Sequence, residues 1–252
     1  NTHMTYKKQN SVSWDSKPGP SDWKPGGFPI RLSPPARAVL MTVEFLGFTS
    51  KVKFVDVNLS TNEHVTPEFL KKNPTHTVPV LEDEEFIIAD SHVIITYLVS
   101  KYGADLRTTL YPEDLKARAK IDQRLYLDGT LLFPRLLAIV KSVLNEKAPG
   151  PSDNQLEVVK EAYGFVENFL ETSTFLAGDY ITLADISVVS TISSLDVLVP
   201  IESEKFPKII EWWNKLKTEY WYQNANVKGL MQFDSNLKSV MEQNTNKRCI
   251  KD

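Results

Sequence analysis

Cysteine is almost absent from this chain, which contains one, Cys249, among 252 residues. A single cysteine cannot form a disulfide within the chain, so the class of small secreted proteins stapled by disulfides is excluded. A reducing, cytoplasmic setting is therefore expected. The histidines lack the close spacing of metal ligands, and we predict no metal site.

A basic excess and long apolar runs are missing as well. The formal net charge of −3 gives no electrostatic basis for binding nucleic acid. No apolar run approaches the roughly 18 residues of a membrane helix, and no charged-then-apolar leader opens the chain, so neither a membrane span nor a secretory signal is predicted. Residues 1–3 resemble a cloning remnant, which makes Met4 the expected native start.

Several catalytic signatures are also missing. The chain has no phosphate-binding G-x-x-x-x-G-K-S loop, no G-x-G-x-x-G dinucleotide fingerprint and no G-x-S-x-G hydrolase elbow. Chemistry in this protein must then use a nucleophile that another molecule supplies.

What is present suits two domains, because 252 residues with 42% hydrophobic side chains can bury two sizeable cores. Residues 1–27, rich in proline and glycine, are predicted to be a flexible extension. Residues 28–105 mix strand-like and helical patterns, residues 113–241 are helical by period, and residues 242–252 form a polar tail.

The most informative stretch is residues 73–92. Two short apolar runs, residues 77–81 and 86–89, flank four acidic residues and predict a β-hairpin. Since a proline cannot donate to a strand ladder, Pro79 within the first run predicts a cis Val78–Pro79 bond.

A helical pattern follows the hairpin and stops at Gly103. Ser91 is the expected N-cap and Gly103 the expected C′ glycine. Asp90 and Ser91 are open to two interpretations. They only cap the helix, or the strand end, the proline and the helix N-terminus together hold an anion or an extended peptide.

In the second half, residues 108–112 are expected to be a linker. Pro134 lies inside the first long helix and is expected to kink it. Thr182 followed by Asp185 is a capping-box variant, which predicts the start of a buried helix.

The residues Asn-Pro-Thr-His-Thr-Val-Pro-Val-Leu at 73–81, followed by Asp-Ser-His at 90–92, resemble the glutathione-binding half of cytosolic glutathione transferases. The insect delta and epsilon classes are the most similar, and the resemblance extends over roughly residues 30–231. It implies an α/β N-terminal thioredoxin-like domain plus an all-α C-terminal domain, a cytoplasmic homodimer and glutathione as co-substrate. The implied reaction is attack of the glutathione thiolate on small hydrophobic electrophiles, in detoxification or in the metabolism of endogenous apolar ligands.

Residues 28–103 can be followed along the family's order of strand, helix, strand, helix, hairpin, helix. The helix between the N-cap Ser33 and Gly47 is well marked, and residues 51–57 alternate partly, as a strand does. We expect one sheet with a parallel and an antiparallel pair. Residues 28–32 stand where the first strand is expected, yet they contain a proline, which that strand in the family usually lacks.

The resemblance also implies site residues. Ser33, in a Ser-Pro-Pro-x-Arg motif, matches a catalytic serine that lowers the pKa of the glutathione thiol by hydrogen bonding to the thiolate; the alternative is a plain N-cap. The implied glutathione-binding residues are His64, His76, Val78, Pro79, Asp90, Ser91 and Arg135. Asp90 stands where glutamate is commoner, so the carboxylate is retained on a shorter side chain.

The electrophile is expected in a hydrophobic pocket between the domains. Its expected lining is Leu32, Leu127, Asp128, Leu131, Leu136 and Ile139. Most of these residues could equally be ordinary core, since a leucine stripe at helical spacing usually is. Asp128 could face solvent, help a dimer interface or anchor a polar group of the ligand.

Two alternatives stay open. A weakly catalytic or non-catalytic binding protein for hydrophobic ligands would suit the irregular residues 28–32. Four residues together favour the enzyme: Ser33, Pro79, Asp90 and Ser91. A docking subunit would be favoured if residues 5–27 were ordered against a partner.

Overall fold

The computed structural model describes residues 30–249. Expectations for residues 1–29 and 250–252, which include the flexible extension and the start of the irregular first strand, lie outside the described residues. A small domain with a two-stranded sheet is followed by a larger domain built of helices.

The first domain combines a hairpin with three helices. Its elements are α1 Pro34–Phe45, α2 Pro67–Lys72, β1 Val80–Asp83, β2 Phe86–Ala89 and α3 Ser91–Tyr102, with 3-10 turns at Ile30–Leu32, Thr49–Lys51, Leu59–Thr61 and Glu63–Val65. β1 and β2 pair antiparallel, with Val80 opposite Ala89 and Asp83 opposite Phe86. The predicted hairpin is therefore confirmed.

Helix α1 begins and ends where its sequence predicts. Ser33 is the N-cap and Pro34 lies in the first turn, where its missing N–H leaves no helical hydrogen bond unmade. Gly47 follows the helix with a φ of +68°, which glycine adopts without steric cost. The side chain of Ser33 makes no capping hydrogen bond, so its hydroxyl is not needed to begin the helix.

The expected parallel strand pair is wrong for the described residues. Ile30–Leu32 forms a 3-10 turn, and residues 52–58 belong to no strand. A strand needs a neighbour to pair its backbone groups, and Ile30–Leu32, the described part of the expected partner, turns toward α1 instead. Phe54 and Val55 consequently stay exposed, with 41% and 63% of their surface accessible.

The two ends of α3 differ from their prediction. Asp90, and not Ser91, is the N-cap, because its carboxylate accepts hydrogen bonds from the backbone N–H groups of His92 at 2.9 Å and Val93 at 3.2 Å. Gly103 has a φ of −72°, so it is not the left-handed residue that we expected. The positive φ falls on Ala104 instead, at +44°.

The second domain is helical throughout, as its periodicity predicts. Its helices are α4 Arg107–Leu110, α5 Leu115–Leu127, α6 Phe133–Leu144, α7 Asp153–Leu170, α8 Leu183–Leu198, α9 Pro207–Lys217, α10 Tyr220–Tyr222 and α11 Lys228–Cys249. The expected linker at 108–112 thus begins inside the short helix α4, and the expected polar tail is helical as far as Cys249. π-helical turns at Asp128–Leu132 and Gln223–Val227 precede α6 and α11. Pro134 lies in the first turn of α6, not in a helix interior. The helix is irregular just before it, at the π-helical turn Asp128–Leu132, where we expected a proline kink.

Helix α8 forms the centre of the second domain and is buried along nearly its whole length. The capping box at its start is confirmed, since the Asp185 carboxylate accepts from the backbone N–H of Thr182 at 2.8 Å and from its hydroxyl at 2.9 Å. α8 also packs against α1, which joins the two domains. Among the described residues, no helix combines the length and the apolar composition needed to cross a membrane.

Candidate functional site

The N-terminal ends of α1 and α3 lie on the same side of the first domain. Both helices have 12 residues, and they pack against each other. The rings of Phe48 and Tyr102, at their C-terminal ends, are 5.2 Å apart. Two packed helices of equal length whose C-terminal ends meet run in the same direction. The two N-caps, Ser33 and Asp90, therefore face the same edge of the domain.

The end of the hairpin lies at this edge as well. The Val78–Pro79 bond is cis, as predicted, and Pro79 is buried. Because Val80 pairs with Ala89, the residues just outside this pair, Pro79 and Asp90, adjoin across the mouth of the hairpin.

Asn73 fixes the loop that leads into Val78. Its side-chain amide donates to the carbonyl oxygen of Thr77 at 2.9 Å, and its side-chain oxygen accepts from the backbone N–H of Thr75 at 3.1 Å. Asn73 is 2% exposed, so these hydrogen bonds are shielded from water. An asparagine that bonds to the backbone of its own loop is a local turn signal in the sequence.

The predicted histidines, His64 and His76, are close to each other. Their ring centroids are 6.1 Å apart, and His76 has a φ of +47° in an exposed loop. The Nδ1 atom of His64 is buried and has no hydrogen-bond partner among residues 30–249. A buried ring nitrogen without a partner is costly, and a ligand group at this place would satisfy it.

A histidine that we did not predict as a site residue, His92, connects the two domains. Its Nδ1 lies 3.3 Å from the Asp90 carboxylate and its Nε2 lies 3.1 Å from the carboxylate of Asp128, at the end of α5. Burial alone lowers the pKa of His92, but its hydrogen bonds to Asp128 and Asp90 outweigh burial and raise the pKa to about 9. His92 is therefore charged near neutral pH, and its hydrogen bond lowers the pKa of the Asp90 carboxyl.

Asp128 does not face solvent, which excludes one of the three roles considered for it. It is 3% exposed, and it accepts a hydrogen bond from the Ser187 hydroxyl on α8 at 2.6 Å. Its other carboxylate oxygen, Oδ1, has no partner among the described residues. His92 and Asp128 are 36 residues apart in the sequence, so no local sequence pattern predicts their contact.

The residues expected to line a hydrophobic pocket divide into two groups. Leu32, Leu136 and Ile139 are at most 3% exposed and belong to the main core. Leu127 and Leu131 are half-buried and pack against that core. Only the second group keeps solvent-accessible apolar surface.

Comparison with known proteins gives the family. A model of the glutathione S-transferase N-terminal domain matches residues 28–106, and a model of the glutathione S-transferase C-terminal domain matches residues 136–219. Glutathione S-transferase 1 of Manduca sexta is 43% identical over 203 residues, which cover 80% of this chain and 92% of the relative. The chain belongs to the glutathione S-transferase family.

Solved transferase structures agree with this assignment. An epsilon-class glutathione S-transferase from the housefly, Musca domestica, is 40% identical with a TM-score of 0.78, over 83% of this chain and 95% of the other. A glutathione transferase homolog from Drosophila mojavensis with bound glutathione is also 40% identical, with a TM-score of 0.78, over 83% of this chain and 94% of the other. The predicted fold class, a thioredoxin-like domain followed by an all-α domain, is confirmed. The parallel strand pair is the part of the transferase fold that residues 30–249 do not form.

Arg135 was expected to reach glutathione from the second domain of the transferase. Its guanidinium instead donates to the carbonyl oxygen of Val158 and pairs with the Glu161 carboxylate at 2.7 Å, both on α7. These contacts hold Arg135 within the helical domain. Its contact with glutathione stays a prediction.

Proposed function

We propose that this chain is a glutathione transferase that joins the glutathione thiolate to small hydrophobic electrophiles. The proposal rests on the likeness to a transferase structure with bound glutathione, at 40% identity over 83% of this chain. The observation that carries it within the chain is the shared edge of Ser33, Pro79 and Asp90 described above. The named relatives are transferases, so the comparisons do not favour a non-catalytic binding protein.

Glutathione would lie along this edge in an extended form. His64 and His76 would contact its glycine end, and the backbone of Val78 would pair with its cysteinyl unit. The Asp90 carboxylate would pair with the γ-glutamyl ammonium, and Ser91, at the N-terminus of α3, would receive the γ-glutamyl carboxylate. Arg135 would reach toward glutathione from the second domain, where its guanidinium also pairs with Glu161 on α7.

Ser33 would activate the nucleophile. Its hydroxyl makes no capping hydrogen bond and can donate to the thiolate, which lowers the pKa of the thiol. The thiolate sulfur then forms a bond to the electrophilic carbon, and the leaving group departs with the bonding electron pair. No metal takes part in this proposal.

The electrophile would lie against the half-buried pair Leu127 and Leu131, which pack against the core that contains Leu32, Leu136 and Ile139. Asp128 is a candidate polar anchor, since its Oδ1 atom has no partner among the described residues. We also propose a cytoplasmic homodimer that acts in detoxification or in the metabolism of apolar compounds. The exposed apolar side chains Phe86 and Val93, each 45% accessible, are proposed as contacts with the second copy.

The test is turnover of a chlorinated nitroaromatic together with calorimetric titration by glutathione. Ser33→Ala is expected to lower turnover near neutral pH by about tenfold or more, since a hydrogen bond to a charged group contributes about 1.5–3 kcal/mol. Affinity for glutathione should barely change, because the rest of the tripeptide is held elsewhere. Circular dichroism must first show that the variant is folded. A folded variant with the wild-type rate and pH profile would leave Ser33 as a cap only, and binding without turnover in the wild type would favour a binding protein.

A further inference from the structure

The turn that leads into Ser33 is held by the second domain from two directions. In the absence of a paired first strand among the described residues, the 3-10 turn Ile30–Leu32 places Ser33. Two backbone carbonyl groups of this turn make the contacts. The carbonyl group of Leu32 binds the Arg37 side chain, and that of Arg31 lies against Gly229.

Arg37 provides the first of these contacts. Its Nη1 donates to the carbonyl oxygen of Leu32 at 2.9 Å, and its side chain is fully buried. The remaining guanidinium donors bind the helical domain: Nε donates to Asn226 at 2.8 Å, and Nη2 donates to the carbonyl oxygen of Ser190 at 3.2 Å and to the hydroxyl of Ser194. Through Arg37, these hydrogen bonds fix the position of Leu32 relative to α8 and to the π-helical turn before α11.

Gly229, in the first turn of α11, provides the second contact. A β-carbon at this position would lie 2.2 Å from the carbonyl oxygen of Arg31 and 2.9 Å from the Cδ atom of Arg37. The first of these distances is far below van der Waals contact, and the atom concerned is backbone. Glycine is the residue that allows α11 to lie directly on the turn.

Helix α11 is anchored more firmly than the 3-10 turn Ile30–Leu32 that it contacts. Further along it, Leu237 is fully buried, and the Asn244 side chain donates to the carbonyl oxygens of Val143 and Ala148, both at 2.9 Å. Any side chain at position 229 would therefore displace the short turn, which ends one residue before Ser33, and not the long helix.

We propose that Gly229 is a positioning residue for the transferase reaction, through which α11 sets the place of the Ser33 hydroxyl relative to the glutathione thiolate. The inference rests on the proposed role of Ser33. A displacement of the hydroxyl of about 1 Å is enough to lower a rate by up to a hundredfold, because a hydrogen bond to the developing nucleophile is steeply distance-dependent.

The test compares Gly229→Ala with a matched control, Gly164→Ala. Gly164 also lies within a helix, α7, but a β-carbon there has no atom within 4 Å. Both changes raise helix propensity by about 1 kcal/mol, so the two variants differ in the contact with the turn. The readouts are kcat, KM and the pKa of the thiol of bound glutathione. Ultraviolet difference absorbance measures this pKa.

Gly229→Ala is expected to lower kcat by about tenfold and to raise the pKa of the bound thiol by about one unit. The Kd for glutathione should stay within about twofold of wild type, and Gly164→Ala should match wild type in every readout. A folded Gly229→Ala protein with wild-type kcat and thiol pKa would overturn the proposal, and so would a change confined to the Kd.

Two further variants keep the outcome decisive. If Gly229→Ala does not fold, Asn244→Ala replaces it, because it releases α11, the helix that carries Gly229, from the carbonyl oxygens of Val143 and Ala148 without touching Arg37; a raised thiol pKa then supports the proposal and a wild-type pKa overturns it. Ser33→Ala in the same titration separates the two levels of inference. An unchanged thiol pKa in Ser33→Ala removes the role of Ser33 itself, whereas a raised pKa in that variant alone removes only the role of Gly229.

Discussion

Alkaline pH should weaken the fold through one side chain, His92. Its ring lies 3.3 Å from the carboxylate of Asp90 and 3.1 Å from that of Asp128, so it ties α3 to the second domain. Burial lowers the pKa of His92, yet the hydrogen bonds and charges of Asp128 and Asp90 prevail and raise it from 6.5 to about 9.

The sign and size of the effect follow from these two pKa values. A group whose pKa is higher in the folded protein stabilises it fully below the unfolded pKa of 6.5, and this contribution is lost as the pH rises through about 9. One pKa unit corresponds to about 1.4 kcal/mol, so the contribution has an upper bound of about 3 kcal/mol.

Urea unfolding of the wild type and of His92→Gln, at about pH 6, 7.5 and 9.5, measures this contribution. The wild type should exceed the variant in free energy of unfolding by up to about 3 kcal/mol at the lowest pH, and most of the difference should vanish above about pH 9. His76→Gln is the matched control, because His76 is exposed and makes no ion pair with a described residue. A constant difference between wild type and His92→Gln across this range would refute the reasoning.

Two further predictions concern the other buried or capping carboxylates. Asp90→Asn should weaken glutathione binding by about tenfold, since a charge-assisted hydrogen bond contributes about 1.5–3 kcal/mol, and Asp90→Glu should retain most of the affinity; a calorimetric Kd equal to wild type in Asp90→Asn would exclude the pairing with the ammonium. Asp185→Asn should lower the free energy of unfolding by about 3 kcal/mol or more, because the buried carboxylate accepts from Leu176, Thr182 and Trp212. Asp179→Asn, at an exposed position, is its control in the same denaturation experiment, and equal losses in both variants would contradict this role.

Local signals in the sequence predicted the parts of the structure that depend on neighbouring residues. The hairpin, the cis bond before Pro79, the start of α1 at Ser33 and the capping box at Thr182 all follow from residue types at short spacing. The N-cap of α3 was misplaced by one residue because Asp90 and Ser91 are both good caps, and only the geometry shows which carboxylate or hydroxyl meets the free N–H groups.

The features that depend on distant residues could not be predicted in this way. Residues 51–57 have a strand-like pattern, but a strand forms only when a partner segment is extended beside it, and Ile30–Leu32 is a 3-10 turn. The bridge from His92 to Asp128 and the contact of Gly229 with Arg31 join residues from opposite domains. Their side chains carry no local sequence pattern, because only the packing of α1 and α3 against α8 and α11 brings them together.

The hydrogen bonds from Arg37 to the second domain also limit which helical domains can be joined to this first domain. Every acceptor of its guanidinium beyond Leu32 belongs to α8 or to the π-helical turn before α11, and no carboxylate pairs with it among residues 30–249. A chimera that joined residues 30–106 to a foreign helical domain lacking Asn226 and Ser194 would bury a cation with unpaired donors. Exchange of the first domain alone should therefore yield a folded protein only when the donor's central helix carries equivalent polar groups.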